Sequence, residues 1–272
     1  MTPEGLSLLT SIYLGLFFGG LAFFWLWEAA APLRPFADNG ARRRHALRNL
    51  GVLAAVVVFA DLFVGTWLLR AGDRLLDTPA GLLTALQWPI AAQILFAFVL
   101  IDALEYGLHR LAHAWRPLWL VHVVHHSDPH VDSTTGVRNH PLETTVTIVV
   151  RVGLYVALGL PLWIELVRVI VANSLFLWQH SNIASPWWLE ALRPVFVTPA
   201  VHRQHHSPDA PLIDRNFGQM FSIWDRLFGT YAEPATDAPP EYGLRRLGER
   251  AWQTVGGLLL TPFRARSIPG PL

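Results

Sequence analysis

No cysteine occurs among the 272 residues. The chain therefore forms no disulfide, thiolate zinc site, iron–sulfur cluster or thiol nucleophile. Charge is scarce as well: Asp, Glu, Lys and Arg make up 15% of the chain, against about 25% in an ordinary soluble domain. With 52% hydrophobic residues, this argues against a water-soluble globule. Neither sign of charge prevails, since 21 Lys and Arg face 20 Asp and Glu, so no nucleic acid or acidic substrate is expected as a partner. There is no Gly-x-Gly-x-x-Gly fingerprint and no internal repeat. A bound dinucleotide is therefore not expected. What remains is a set of apolar runs and 12 His whose positions are far from scattered.

The first run, between Glu4 and Glu28, is uncharged and long enough to cross a hydrocarbon core of about 30 Å as a helix. Met1-Thr2-Pro3-Glu4 has no basic region, so a membrane span is expected there rather than a secretory signal. A second run lies between Arg48 and Arg70, and a third between Asp77 and Asp102. The loop after the first span holds Arg34, Arg42, Arg43, Arg44 and Arg48 against Asp38, whereas Arg70 and Arg74 are balanced by Asp73 and Asp77 after the second. By the positive-inside rule the first loop is cytoplasmic, and the third span delivers Asp102 to the cytoplasmic face. A fourth stretch, Leu142 to Gln179, is broken at Gly159-Leu160-Pro161 and reads as an antiparallel hairpin entering the bilayer and returning. Arg151 and Arg168 sit at similar depth in it, and Glu165 is near enough to pair with one of them, an internal ion pair that steadies the hairpin being expected over a contact with substrate.

The His follow these spans. Asp102, Tyr106, His109 and His113 fall on one face of a helix continuing from the third span. Two imidazoles one turn apart can share a metal, and Asp102 can accept the outer N–H of one of them. Pro117 opens a second helix, carrying His122, His125 and His126, which Ser127 to Pro129 stop. The pattern recurs at His202, His205 and His206, with Thr198 able to cap and Pro199 to open the helix. His140 and His180 bracket the hairpin, whose two ends emerge on the same side, so ten imidazoles can converge. Eight to ten ligands exceed the four to six that a first-row ion holds, so the site is expected to be binuclear. Imidazole alone does not choose between Zn, Cu, Fe and Ni. His45, in the Arg-rich loop, reads as charge facing lipid headgroups, and His130 as a non-ligand. Trp115, Trp119, Trp178, Trp187 and Trp188 read as wall residues of an apolar channel or, more commonly, as interfacial anchors.

At these residues the chain resembles the fatty acid hydroxylase/sterol desaturase superfamily of membrane diiron enzymes. Its three His boxes match His109/His113, His122/His125/His126 and His202/His205/His206. The likeness extends through Asp102-x-x-Glu105-Tyr106, Arg138-Asn-His140-Pro, Gln179-His180-Ser-Asn182 and Asp214-Arg-Asn216-Phe-Gly218 to Trp224-Asp225-Arg-Leu-Phe-Gly229-Thr230. The resemblance implies two non-haem iron ions held by the ten His, O2 as co-substrate, and hydroxylation or desaturation of a lipid C–H bond. It also implies a separate electron donor, cytochrome b5-like or a ferredoxin with its reductase. Arg110, Arg116, Arg203 and Arg215 are available either to dock that donor or to form a solvated rim. Asp102 and Glu105 are expected to tune the ligands, while Asp214, Asn216 and Asp225 brace the C-terminal helices.

The expected architecture is all-α: polytopic membrane helices with a His-rich dimetal helical cap at the cytoplasmic face. Residues 1–101 hold the N-terminal spans, 102–231 the His-box region with its hairpin at 142–179, and 232–272 a C-terminal tail. A zinc-dependent membrane hydrolase and a non-catalytic metal- or lipid-binding protein are the rival readings.

Overall fold

The apolar runs become helices in the computed structural model, which describes residues 3–65, 81–209, 212–235, 241–244 and 246–267. Five helices are long: α1 (Pro3–Ala30), α2 (Asn39–Ala60), α3 (Ile90–Ala114), and later the hairpin pair α5 (Pro141–Leu158) and α6 (Leu162–His180). Between α3 and the hairpin lies α4 (Arg116–His126), and α7 (Pro199–His205) follows α6. Shorter pieces are α8 (Ile223–Leu227), α9 (Val255–Leu259) and α10 (Thr261–Arg264). Among the described residues there are no strands, only one isolated bridge between Phe196 and Phe221.

Four stretches are long and apolar enough to cross a membrane: Glu4–Ala30, Asn39–Phe63, Ile90–Ala114 and Pro141–Leu158. At about 1.5 Å per residue, α3 is about 37 Å long and outlasts the hydrocarbon core. Its last turns, with His109 and His113, therefore reach one end of the bundle. The hairpin reverses at Gly159, whose φ of 68° is left-handed and costs glycine little. Leu160 then packs with Ala97, Ile101, Tyr155 and Ile164, which ties the turn to α3. Helix α1 lies along α6, where Leu21 meets Leu177 and Val137.

Helix α2 begins earlier than the apolar run, because Asp38 caps it by accepting from the Ala41 N–H. Arg42 to Arg48, expected in a loop, therefore lie on its first turns. Arg42 sits over the Trp25 ring at 4.2 Å. His45 does not face lipid headgroups as expected. It is buried, 2.8 Å from Asp128 and 3.1 Å from Asp132, because carboxylates taken out of water need a cationic or donor partner at contact distance. The segment Arg70 to Asp77 lies outside the described residues.

The stretch beyond Ala232 packs under the cap. Leu244 and Leu247 meet Trp119 and Val123 of α4, while Leu258 of α9 fills the gap between Val52 and Val124. The Gln253 amide donates to the Ser127 and Leu247 carbonyls and accepts from Arg138. The outer faces of α2 and α4 are thereby held in register.

Candidate metal centre

On a helix, positions i and i+4 point about 40° apart, while i+3 and i+4 diverge by about 100°. A His-x-x-His-His run therefore serves two centres. His122 and His126 of α4 turn one way and His125 the other; on α7, His202 and His206 turn together and His205 away. The result is two groups of buried donors, His109, His113, His122, His126 and His205 in one and His125, His180, His202 and His206 in the other. Within each group the donor atoms lie within 4.8 Å of one another. The groups adjoin: the rings of His126 and His206 are centred 4.8 Å apart.

The outer nitrogens show what the inner ones offer. His109 Nδ1 meets the Phe217 carbonyl at 2.8 Å, His205 Nδ1 the Arg215 carbonyl at 2.7 Å and His180 Nδ1 the Phe176 carbonyl at 2.8 Å. A carbonyl only accepts, so each Nδ1 carries the proton and each Nε2 presents a lone pair inward. His113 and His122 are held the same way by Asp214 at 3.3 Å and Glu143 at 2.6 Å.

The inward nitrogens crowd each other. His180 Nε2 lies 3.1 Å from His125 Nε2, 2.8 Å from His202 Nε2 and 3.2 Å from His206 Nε2. In the other group Nε2 of His109, His113 and His205 is buried with no hydrogen-bond partner. Lone pairs so arranged repel unless a cation lies among them, and imidazole–metal bonds of about 2.0–2.1 Å set neighbouring donors about 3 Å apart. The donor set thus fits metal ions, one per group.

Burial and the neighbouring imidazoles hold His125, His126, His202 and His206 well below the ordinary range. Burial pushes His205 down to about 3. These rings are neutral at pH 7, the form that ligates.

Of the ten expected ligands, the structure gathers nine and leaves out His140. That ring caps α5: Nδ1 accepts from the Leu142 N–H, and Nε2 meets the Leu259 carbonyl at 3.1 Å. Both nitrogens are spent on backbone, so none is left for a metal.

Asp102 touches no His. It is fully buried and accepts from the Met220 and Phe221 N–H groups and from Trp224 Nε1. Its position on α3 faces the 217–224 loop rather than the ligands. Glu105 instead joins Arg151, Arg168 and Glu165 in an ion network, which includes the Arg–Glu165 pairing expected from sequence.

Asp225 and Asn216 brace the C-terminal loops, Asp225 by accepting from Phe217 N, Gly218 N and Thr230 Oγ1 and Asn216 by accepting from Ala232 N. Asp214, expected among those braces, instead holds His113. Arg203 is buried and donates to the Ser181 and Ile183 carbonyls, so it is no part of a docking rim. Thr198 stands at the N-cap of α7 without a capping hydrogen bond. His130 stays away from the ligands, against the Arg34 carbonyl and the Phe36 ring.

Sequence reasoning missed Glu143 and the carbonyl partners. Glu143 carries one legible signal, as the sole carboxylate between Asp132 and Glu165, in the first turn of a span.

A cavity of about 670 Å³ opens onto the centre, lined by His109, His122, His125 and His202 together with side chains of α1, α2, α5 and α6. Trp119 packs beneath the ligands, 5.1 Å from the His113 ring, and none of the five Trp named above lines the cavity.

The fatty acid hydroxylase family model matches residues 94–230, half of the chain, and spans every His of both groups. The chain belongs to the fatty acid hydroxylase family. An ornithine lipid hydroxylase of Rhizobium tropici is 33% identical over 159 residues, 58% of this chain and 47% of that protein. An alkylglycerol monooxygenase of Caenorhabditis elegans is 29% identical over 195 residues, 70% of this chain and 34% of its own length. A methylsterol monooxygenase of Aspergillus fumigatus is 31% identical over 151 residues, covering 53% of this chain and 48% of that protein. The chain thus spans about a third to a half of these relatives. No solved structure matches.

Proposed function

We propose that this chain is a membrane lipid oxygenase that holds two irons and inserts one oxygen atom from O2 into a C–H bond of a lipid. The observation that carries this reading is the floor of the cavity, where imidazoles of both ligand groups meet the space between membrane-spanning helices. His109, His113, His122, His126 and His205 would hold one ion and His125, His180, His202 and His206 the other. Bound there, the pair supplies O2 activation and the redox chemistry of C–H oxidation. The relatives, named as lipid hydroxylases and monooxygenases, support the reaction class.

The chain's own residues do the rest. Glu143 and Asp214 orient His122 and His113, and the Phe176, Arg215 and Phe217 carbonyls fix three further rings. Phe17, Leu53 and Val56 give an apolar lipid a wall and keep bulk water out. The basic Arg34 to Arg48 region supports a cytoplasmic placement of the metal end. A separate carrier, cytochrome b5-like or a ferredoxin, delivers the electrons, with exposed Arg110 beside the ligand helix as one contact.

The test combines metal analysis, O2 uptake with a reductant, and mass spectrometry of lipids from cells with and without the protein. Iron, reductant-dependent O2 uptake and a lipid heavier by one oxygen are expected. Zinc with no O2 uptake would overturn the proposal in favour of a hydrolase, and a lipid lighter by two hydrogens would replace hydroxylation with desaturation.

A further inference from the structure

The cavity has two unlike walls. From α1 and α2 come Phe17, Leu53, Val56 and Val57, apolar, with the Tyr13 hydroxyl, which accepts from Asn173, and Asp61 just beyond α2 as the polar groups on that side. From α5 come Glu143, Thr144, Thr147 and Arg151 beside Val146 and Ile148. Positions 143, 147 and 151 recur every fourth residue, so they form one stripe running about 12 Å along the helix, starting at the carboxylate that holds His122. A polar stripe at membrane depth is costly unless its groups are satisfied, and such residues usually face protein or a ligand.

Most of these groups are satisfied within the protein. The Thr147 hydroxyl donates to the Glu143 carbonyl. Deeper in the hairpin, Arg168 is fully buried and uses all three nitrogens, Nε and Nη2 on Glu165 and Nη1 and Nη2 on Glu105. Arg151 differs. It gives Nη1 to Glu105, its Nε lies 3.0 Å from Glu165 Oε1 as an ion pair without making a hydrogen bond, its side chain is 18% exposed, and Nη2 has no partner among the described residues. Arg168 alone already engages both carboxylates, so the ion network does not need that last donor. Two Arg and two Glu also cancel in charge, so the spare N–H favours a neutral acceptor over an anion.

We infer that Arg151 is the specificity-determining residue of the cavity, donating from Nη2 to an uncharged ether or carbonyl oxygen carried on the lipid chain. The preferred ligand is thus an oxygen-bearing lipid, lying with its oxygen against α5 and its hydrocarbon against α1 and α2, rather than a bare alkyl chain. The inference rests on the oxygenase reading only in taking this cavity as the substrate site.

The test uses two probes of equal length, 1-methoxyhexadecane and octadecane, which differ by one oxygen in place of a CH2. Full-length metal-loaded protein in amphipol is equilibrated with both, and bound probe is quantified by mass spectrometry beside metal content and melting temperature. A hydrogen bond to a charged donor should give the ether about tenfold preference in the native protein. Arg151→Lys keeps a positive charge between Glu105 and Glu165 but has no spare nitrogen in that geometry. Its preference should fall to about one, with metal content unchanged.

Equal binding of the two probes by the native protein overturns the inference without recourse to any variant, and so does retention of neither. A preference that survives in Arg151→Lys overturns the assignment to Arg151. Ether preference in a protein that neither binds iron nor consumes O2 would sink the oxygenase reading while leaving the recognition inference standing.

Discussion

Replacing Glu143 by Gln should weaken one metal and spare the other. The His122 Nδ1 donates to Glu143 Oε1 over 2.6 Å in a largely buried pair. A carboxylate in that position raises the basicity of the inner Nε2 and fixes its direction, and losing such a partner typically costs tenfold to a hundredfold in metal affinity, about 1.4–2.8 kcal/mol. Gln keeps the shape and can still accept the N–H, so the change isolates the charge. His122 belongs to the five-His group and not to the four-His group, so one of two equivalents should respond. Metal-loaded native and Glu143→Gln protein would be titrated with a chelator and the retained metal counted by mass spectrometry. The variant should release its first equivalent at about tenfold to a hundredfold lower chelator, while the second stays in place. Both equivalents shifting together, or neither shifting, would refute the division into two centres with Glu143 behind only one. Asp102→Asn serves as a control and should leave the titration unchanged, because Asp102 touches no ligand.

Asp102→Ala should instead lower stability by about 3 kcal/mol or more, since three buried donors lose their acceptor at about 1–3 kcal/mol each; a melting experiment showing a loss below about 1 kcal/mol would contradict the role given to it. The metal-free protein should be acid-sensitive. His205 is held down to about 3 and His125, His126, His202 and His206 well below their usual value, so below about 6.5 the unfolded chain takes up protons that the folded one refuses. Stability is then full above that pH and lost as it falls, by about 1.4 kcal/mol per pH unit for each such His; a melting temperature that stays flat from pH 6.5 to 5 would contradict this. Gly159→Ala should cost about 1–2 kcal/mol, because its φ of 68° is left-handed, and a neutral effect on melting would count against a left-handed backbone at that turn.

Much of the site was legible before any coordinates. The spacing of His122, His125 and His126 fixes their directions on a helix whatever surrounds it, and the same holds for His202, His205 and His206. The break at Gly159 and Pro161 is equally local, since it depends on what those two residues permit at their own backbone. His140 was misjudged for a related reason. A His before Pro at the start of a helix can spend its nitrogens on backbone, and its outer partner, Leu259, lies 119 residues away. His45 looked like a surface charge because its partners, Asp128 and Asp132, come from a distant loop.

Composition and spacing alone determined an all-helical chain with helices apolar and long enough to span a membrane and imidazoles spaced to converge, because hydropathy and helical period act over a few residues and need no tertiary partner. The sorting of nine His into two groups, the use of Glu143 and Asp214 behind the ligands, the removal of Asp102 to a loop brace and the packing of the chain beyond Ala232 under α4 were decided only by the folded structure. Each of these depends on which side chains meet across gaps of tens to over a hundred residues. Such meetings follow from how the helices pack and from where buried polar groups find partners, and no local pattern encodes them.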